Sequence, residues 1–141
     1  MNDIVINKIQ SIQRCVERAR QEYGSDPNKF STHYTSQDAA VLNVLRACEQ
    51  AIDLANHIIQ THKMGIPTAS AESFDLLRAK DVIDLALSEK LKQMVHFRNI
   101  VVHPYQRMDI EIVTSVIVSG LEDLIQFGDR VKEFIGNPPA S

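Results

Sequence analysis

Tryptophan is absent from the 141 residues, cysteine occurs twice, and glycine and proline five times each. Cys15 and Cys48 stand 33 residues apart with no CxxC spacing, which excludes a disulfide framework and a cysteine-rich zinc site. Both fall in helical stretches, where small buried or half-buried thiols are the ordinary reading. So little cysteine suits a reducing compartment, and the cytoplasm is the expected location. No apolar run approaches the roughly 18 residues of a membrane span. The start, Met-Asn-Asp-Ile-Val-Ile-Asn-Lys, has neither the basic opening nor the cleavable apolar segment of a secretion signal, so no membrane partner is expected. Positive charge is short too: a net charge of −3 denies the whole chain a general electrostatic grip on nucleic acid.

What is present, 44% hydrophobic and 23% charged residues, is the composition of an ordinary globular domain. The length suits one core, expected over residues 1–135, with 136–141 as a C-terminal tail. Charge is unevenly spread. Lys90, Lys92, Arg98 and Arg107 against Glu89 alone give the window 88–107 a net +3, leaving −6 for the rest. His96 and His103 lie in the same window and add charge below a pKa of about 6.5.

Apolar residues at Val5, Ile9, Ile12, Val16, Ala19 and Tyr23 alternate steps of four and three, one face of a helix that Gly24 and Pro27 end. Residues 24–34 read as a polar loop, and Thr35-Ser-Gln-Asp38 as a capping box opening the next helix. That helix, over about 36–64, carries two stripes: Ala40, Val44, Ala47, Ala51, Leu54, Ile58 and Leu42, Leu45, Cys48, Ile52, Ala55, Ile59. So wide an apolar arc places it at the centre of a bundle or at a subunit interface. A short helix over 71–79 follows, and Asp81 or Asp84 opens another turn of helix containing Val82, Ile83 and Leu85. Ser88 caps a helix running towards Val102. The last helix begins near Asp109 and keeps helical spacing for about 25 residues despite its β-branched start. The expected fold class is all-α, an antiparallel bundle of four long helices plus one short one.

Chemistry concentrates in Phe97-Arg98-Asn99-Ile100-Val101-Val102-His103-Pro104-Tyr105. Leu91, Met94, Val95 and Val102 define an apolar stripe, and Arg98 falls on it. A guanidinium aimed at a core is costly unless it is paired or lines a polar cleft, so the plain alternative is a snorkelling arginine or a buried ion pair, for instance with an acid on a neighbouring helix. His103 lies five residues on, about 140° round an ideal helix, and Pro104 disfavours helical geometry there. The helix end therefore leaves His103 free to turn towards Arg98. Asn99, four residues before His103, can orient the imidazole, and Tyr105 adds a phenol at the same opening. Arg, Asn, His and Tyr at one helix end suit a phosphodiester: the guanidinium clamps phosphate while the imidazole moves a proton. A metal site fits poorly, because the window offers no carboxylate close to His103.

Arg98-Asn99-x-x-x-His103-Pro104-Tyr105 resembles the Arg-x4-His-x-Tyr signature of the HepT-like toxins, members of the HEPN-domain superfamily. The likeness extends over residues 1–15, Ile52-Asp-Leu-Ala-Asn-His57, Gly65-Ile-Pro67, Ser73-Phe-Asp-Leu-Leu77 and Leu91-Lys-x-Met94, and so over the chain to about Phe134. It implies a HEPN-type bundle and a metal-independent RNA endonuclease without cofactors, the toxin of a toxin–antitoxin pair. It also implies a homodimer whose active site forms in the cleft between protomers. Carried over, Arg98 and His103 are catalytic and Asn99 supports them. The implied antitoxin is an MntA-like nucleotidyltransferase that transfers AMP to Tyr105, adding charge and bulk across the cleft. Lys90, Lys92, His96 and Arg107 are candidate RNA contacts. Two other readings stay open: a non-catalytic HEPN module that binds a nucleotide or RNA end, and an antitoxin to a toxic nucleotidyltransferase.

Overall fold

A computed structural model describes residues 3–24, 26–101 and 109–136. Among them the chain is helical without strands: α1 (Asp3–Tyr23), α2 (Pro27–Thr32), α3 (Tyr34–Thr61), α4 (Ser70–Ala79), α5 (Leu85–Val101), α6 (Ile110–Ser115), a π-helical turn (Val116–Gly120) and α7 (Leu121–Gly136). No helix among the described residues is long and apolar enough to cross a membrane.

The α1 stripe is buried as its spacing requires: Val5, Ile9, Ile12, Val16 and Ala19 all face inward, mainly onto α3. Gly24 closes the helix in the left-handed region (φ +72°), its N–H returning 3.0 Å to Arg20 O. α3 is the central element. Of its two stripes the first is wholly buried, while the second runs from exposed Leu42 through half-buried Leu45 to buried Cys48, Ile52, Ala55 and Ile59. Phe74 of α4 meets Phe127 of α7 edge-on at 5.4 Å, joining the middle of the chain to its last helix through the core.

The bundle has the four long helices expected, the last being α6, the π turn and α7 in continuity. Five local features differ from the sequence reading. The segment read as a loop contains α2: Asp26 caps it by accepting from Asn28 N (3.0 Å) and Lys29 N (3.4 Å), Pro27 stands in its first turn, and Phe30 is buried, stacked on Tyr23. The Thr35–Asp38 capping box does not form. α3 starts one residue before Thr35, and the cap is His33, whose Nδ1 accepts from Ser36 N at 3.1 Å. Ser88 does not cap α5 either; it is fully buried and donates to Phe74 O at 3.4 Å, while Asp84 accepts from Leu87 N at 2.8 Å. Of the two openings expected for a turn of helix, only Asp84 leads one, at Leu85; Asp81, Val82 and Ile83 form a non-helical turn, with Asp81 in the left-handed region (φ +59°) and both apolar side chains buried.

The fifth difference is the π turn. Buried positions fall at Val113, Ile117 and Leu121, two steps of four, and then at Leu124 and Phe127, two steps of three. A wider i→i+5 turn absorbs the surplus, so α6 and α7 both keep their apolar faces inward. Gly120 lies where this turn meets α5; a Cβ there would come within 2.9 Å of Met94 Sδ.

A candidate active site around Arg98

Arg98 lies in the last turn of α5, on the face that buries Leu91, Met94 and Val95 one and two turns earlier. Its side chain is 20% exposed. A guanidinium so placed needs compensation, and two neighbouring helices supply it. Ser70, the first residue of α4, accepts from Nη2 at 2.9 Å. Glu49 of α3 brings Oε1 to 3.3 Å from Nε, an ion pair by distance. The Nε–H is buried but not aimed squarely enough at that oxygen to make a hydrogen bond. Both Nη1 hydrogens and one on Nη2 remain without a partner among the described residues.

Behind this cluster lies Cys48. The residue is 2% exposed, and its Sγ sits 4.0 Å from Met94 O. Burial, with the adjacent Glu49 carboxylate adding to it, pushes the thiol up to about 12, against the opposing pull of Arg98. It is a buried neutral group and not a nucleophile.

The acid on a neighbouring helix that the sequence reading left open for Arg98 is therefore Glu49. The rest of the expected set divides. Asn99 and His96 are exposed on α5, next to and two residues before Arg98. Lys90 and Lys92 do not join the Arg98 cluster. Lys90 is 3.9 Å from Asp123, whose carboxyl burial raises against the pull of that ammonium. Lys92 is held by Asp75 at 3.1 Å and Glu89 at 3.6 Å, and the hydrogen bond to Asp75 keeps its ammonium above the ordinary lysine value. His103, Tyr105 and Arg107 lie outside the described residues.

An α-helical bundle that brings one half-buried arginine to a helix end, with Asn99 beside it and His103 five residues on, has the build of a HEPN-type nuclease domain. The family description "Ribonuclease HepT-like" matches residues 12–131, and the chain belongs to this family. It is 48% identical over 132 residues to the mRNA nuclease HepT of Shewanella oneidensis, covering 94% of this chain and 98% of that one. The structure superposes with a TM-score of 0.89 on the tri-AMPylated HEPN toxin of Shewanella oneidensis in complex with its MNT antitoxin, at 47% identity, covering 94% of this chain and 99% of that one. A cytosolic protein of unknown function from Bacillus subtilis, YutE, shares the fold at a TM-score of 0.73 and 19% identity, covering 96% of this chain and 94% of that one.

Proposed function

We propose that this protein is a metal-independent endoribonuclease, the toxin of a toxin–antitoxin pair, with Arg98 and His103 as its catalytic residues. The observation that carries the reading is Arg98 itself. A guanidinium is built into the wall of a helical core, compensated on one side, and left among the described residues with unpartnered donors at the end of the helix that leads to His103. That arrangement suits a group that must bind a phosphate in a fixed place.

His103 takes the proton of a ribose 2′-hydroxyl as O2′ attacks phosphorus, and the P–O5′ bond breaks as the leaving oxygen is protonated. Arg98 stabilises the charge that accumulates on the phosphorane oxygens. In a homodimer, the Arg98–His103 pair of each protomer faces one cleft, so that one imidazole acts as base and the other as acid. The product is a 2′,3′-cyclic phosphate, and DNA, which lacks the hydroxyl, is not cut. Asn99 orients the His103 ring, and exposed His96 adjoins the strand. Lys90, Lys92 and Arg107 are secondary contacts, the two lysines after release from their carboxylates. An MntA-like nucleotidyltransferase transfers AMP from ATP to Tyr105, displacing pyrophosphate. The new phosphodiester places negative charge where the RNA backbone binds. The AMPylated state and antitoxin complex of the Shewanella relative support this last step.

The test is RNA cleavage in excess EDTA by mass-verified unmodified protein. Wild type is expected to leave cyclic phosphate ends, and His103→Ala to be inactive with its helical fold intact. Tyr105→Phe is expected to cleave but to escape silencing by the nucleotidyltransferase. Full activity of His103→Ala would remove it from proton transfer, and AMP-dependent silencing of Tyr105→Phe would move the acceptor elsewhere.

A further inference from the structure

We infer that Glu49 and Ser70 are positioning residues for Arg98, a clamp from two helices that fixes which edge of the guanidinium meets the phosphate. The inference rests on the nuclease reading above and adds to it two residues outside the Arg-x4-His-x-Tyr pattern.

The clamp stands on a rigid frame. α4 is tied to α3 where Ser73 Oγ, fully buried, donates to Asn56 Oδ1 at 2.6 Å. The approach to α4 is held by Glu72, which accepts from Thr68 N at 3.2 Å and from the Thr68 hydroxyl, while Glu72 N returns 3.1 Å to Ala69 O. Ser70 is thus delivered at a fixed height above α3, less than one turn before Ser73. Glu49 comes from α3 itself, next to buried Cys48, with its own side chain half-exposed. The two oxygens meet the guanidinium from different helices: Glu49 at the proximal Nε, Ser70 at Nη2. A flexible arginine has several rotatable bonds, and ordering them beforehand removes a cost otherwise met at the transition state. The contacts also choose the edge. With Nε facing Glu49, an anion is directed to the distal Nη1 side, away from the carboxylate that would repel it.

The experiment is a double-mutant cycle on the full-length protein, reading kcat and KM separately for a short RNA substrate across pH in EDTA. Glu49→Gln keeps size and removes charge, and Ser70→Ala removes one acceptor. Each is expected to lower kcat, the first about tenfold and the second about threefold, with KM changed little, since misplacement by about 1 Å can cost up to a hundredfold. Both effects are expected to vanish in an Arg98→Lys background, because they act through the guanidinium. Thermal melts of each variant report whether the fold is kept, and Ser70→Ala stands alone if Glu49→Gln does not fold.

An equal loss in the Arg98→Lys background would overturn the inference, as would a rise in activity, which would make Glu49 a competitor of the phosphate. Disappearance of the acidic limb of the pH profile in Glu49→Gln would make the carboxylate a base instead of a positioning group. Wild type that cleaves no RNA would overturn the nuclease reading and this inference with it. Wild type that cleaves while both variants match it overturns this inference alone.

Discussion

Iodoacetamide labelling of Cys48 tests the packing behind Arg98. The residue is 2% exposed between α3 and α5, and its thiol is held up to about 12, against an ordinary 9.0. At pH 8 a thiol of ordinary acidity is roughly one-tenth ionised, and one at 12 roughly one part in ten thousand. Since the thiolate is the nucleophile, the shift leaves about a thousandfold less of the reactive species, partly offset by the greater nucleophilicity of a more basic thiolate, before steric access is counted. Reaction through global opening adds less than about one part in a thousand if the domain is stable by 5 kcal/mol or more. The assay is peptide-resolved mass spectrometry of Cys48 in native protein and in urea. Native labelling is expected to be at least about a thousandfold slower. A rate within tenfold of the urea value would refute the burial argument, and with it a fixed α3–α5 seam. The same shift makes a pH prediction. A thiol raised on folding contributes stability that is complete below about pH 9 and declines as pH rises towards 12. At pH 10.5 the loss is about 2 kcal/mol relative to pH 8. Cys48→Ala should flatten that slope in urea unfolding, and an unchanged slope would assign it to other groups.

Two further predictions concern the bundle. Phe127→Ala empties a fully buried site and breaks the edge-on contact with Phe74, so it should cost about 3–5 kcal/mol in urea unfolding at constant m; a cost below 1 kcal/mol would mean the core collapses around the gap. Gly128→Ala places a Cβ 3.4 Å from Ile9 Cγ2, a contact the α1–α7 seam can take. The helix gain of about 1 kcal/mol should then appear as added stability, and a net loss would show that the seam cannot part.

The long helices were legible because apolar spacing is a local signal that packing enforces: the buried face of α1 is the stripe its sequence spells out. α2 was hidden by its length, since six residues show no period. Its true signal was the Asp26–Pro27 pair, a cap acceptor followed by the residue suited to a first turn. His33 went unread because an imidazole is a rare cap, and Ser88 was misplaced because a serine before an apolar stripe looks the same whether it caps or is buried. The π turn was visible in the change from steps of four to steps of three, but single-period reading averages over it. In the site, the cost of aiming Arg98 at the core required a partner, yet nothing in α3 distinguished Glu49 from its other exposed acids, Asp38 and Asp53, the latter paired with Lys8. Ser70 carried no signal, because a hydrogen bond across 28 positions leaves no periodicity.

Charge at the site bears on how RNA is held. Arg98 stands at the C-terminal end of α5, where the helix dipole disfavours an anion, and Glu49 cancels its formal charge at 3.3 Å. Lys90 and Lys92 spend their charge on Asp123, Asp75 and Glu89. The described part of one protomer is therefore close to neutral around the guanidinium, in keeping with a chain of net charge −3. Among the described residues, little charge is left over for long-range attraction of an anion. What remains is short-range: directed hydrogen bonds from a preorganised arginine, and charge from groups that arrive with the reaction. Under the proposed mechanism those are a protonated His103 and the second Arg98–His103 pair across the dimer cleft. A neutral half-site made competent by pairing accounts for two parts of the proposal together. The described residues of one protomer offer little net charge to hold a phosphodiester at the end of α5, and under the same proposal a negatively charged AMP group on Tyr105 tips so finely balanced a cleft against RNA.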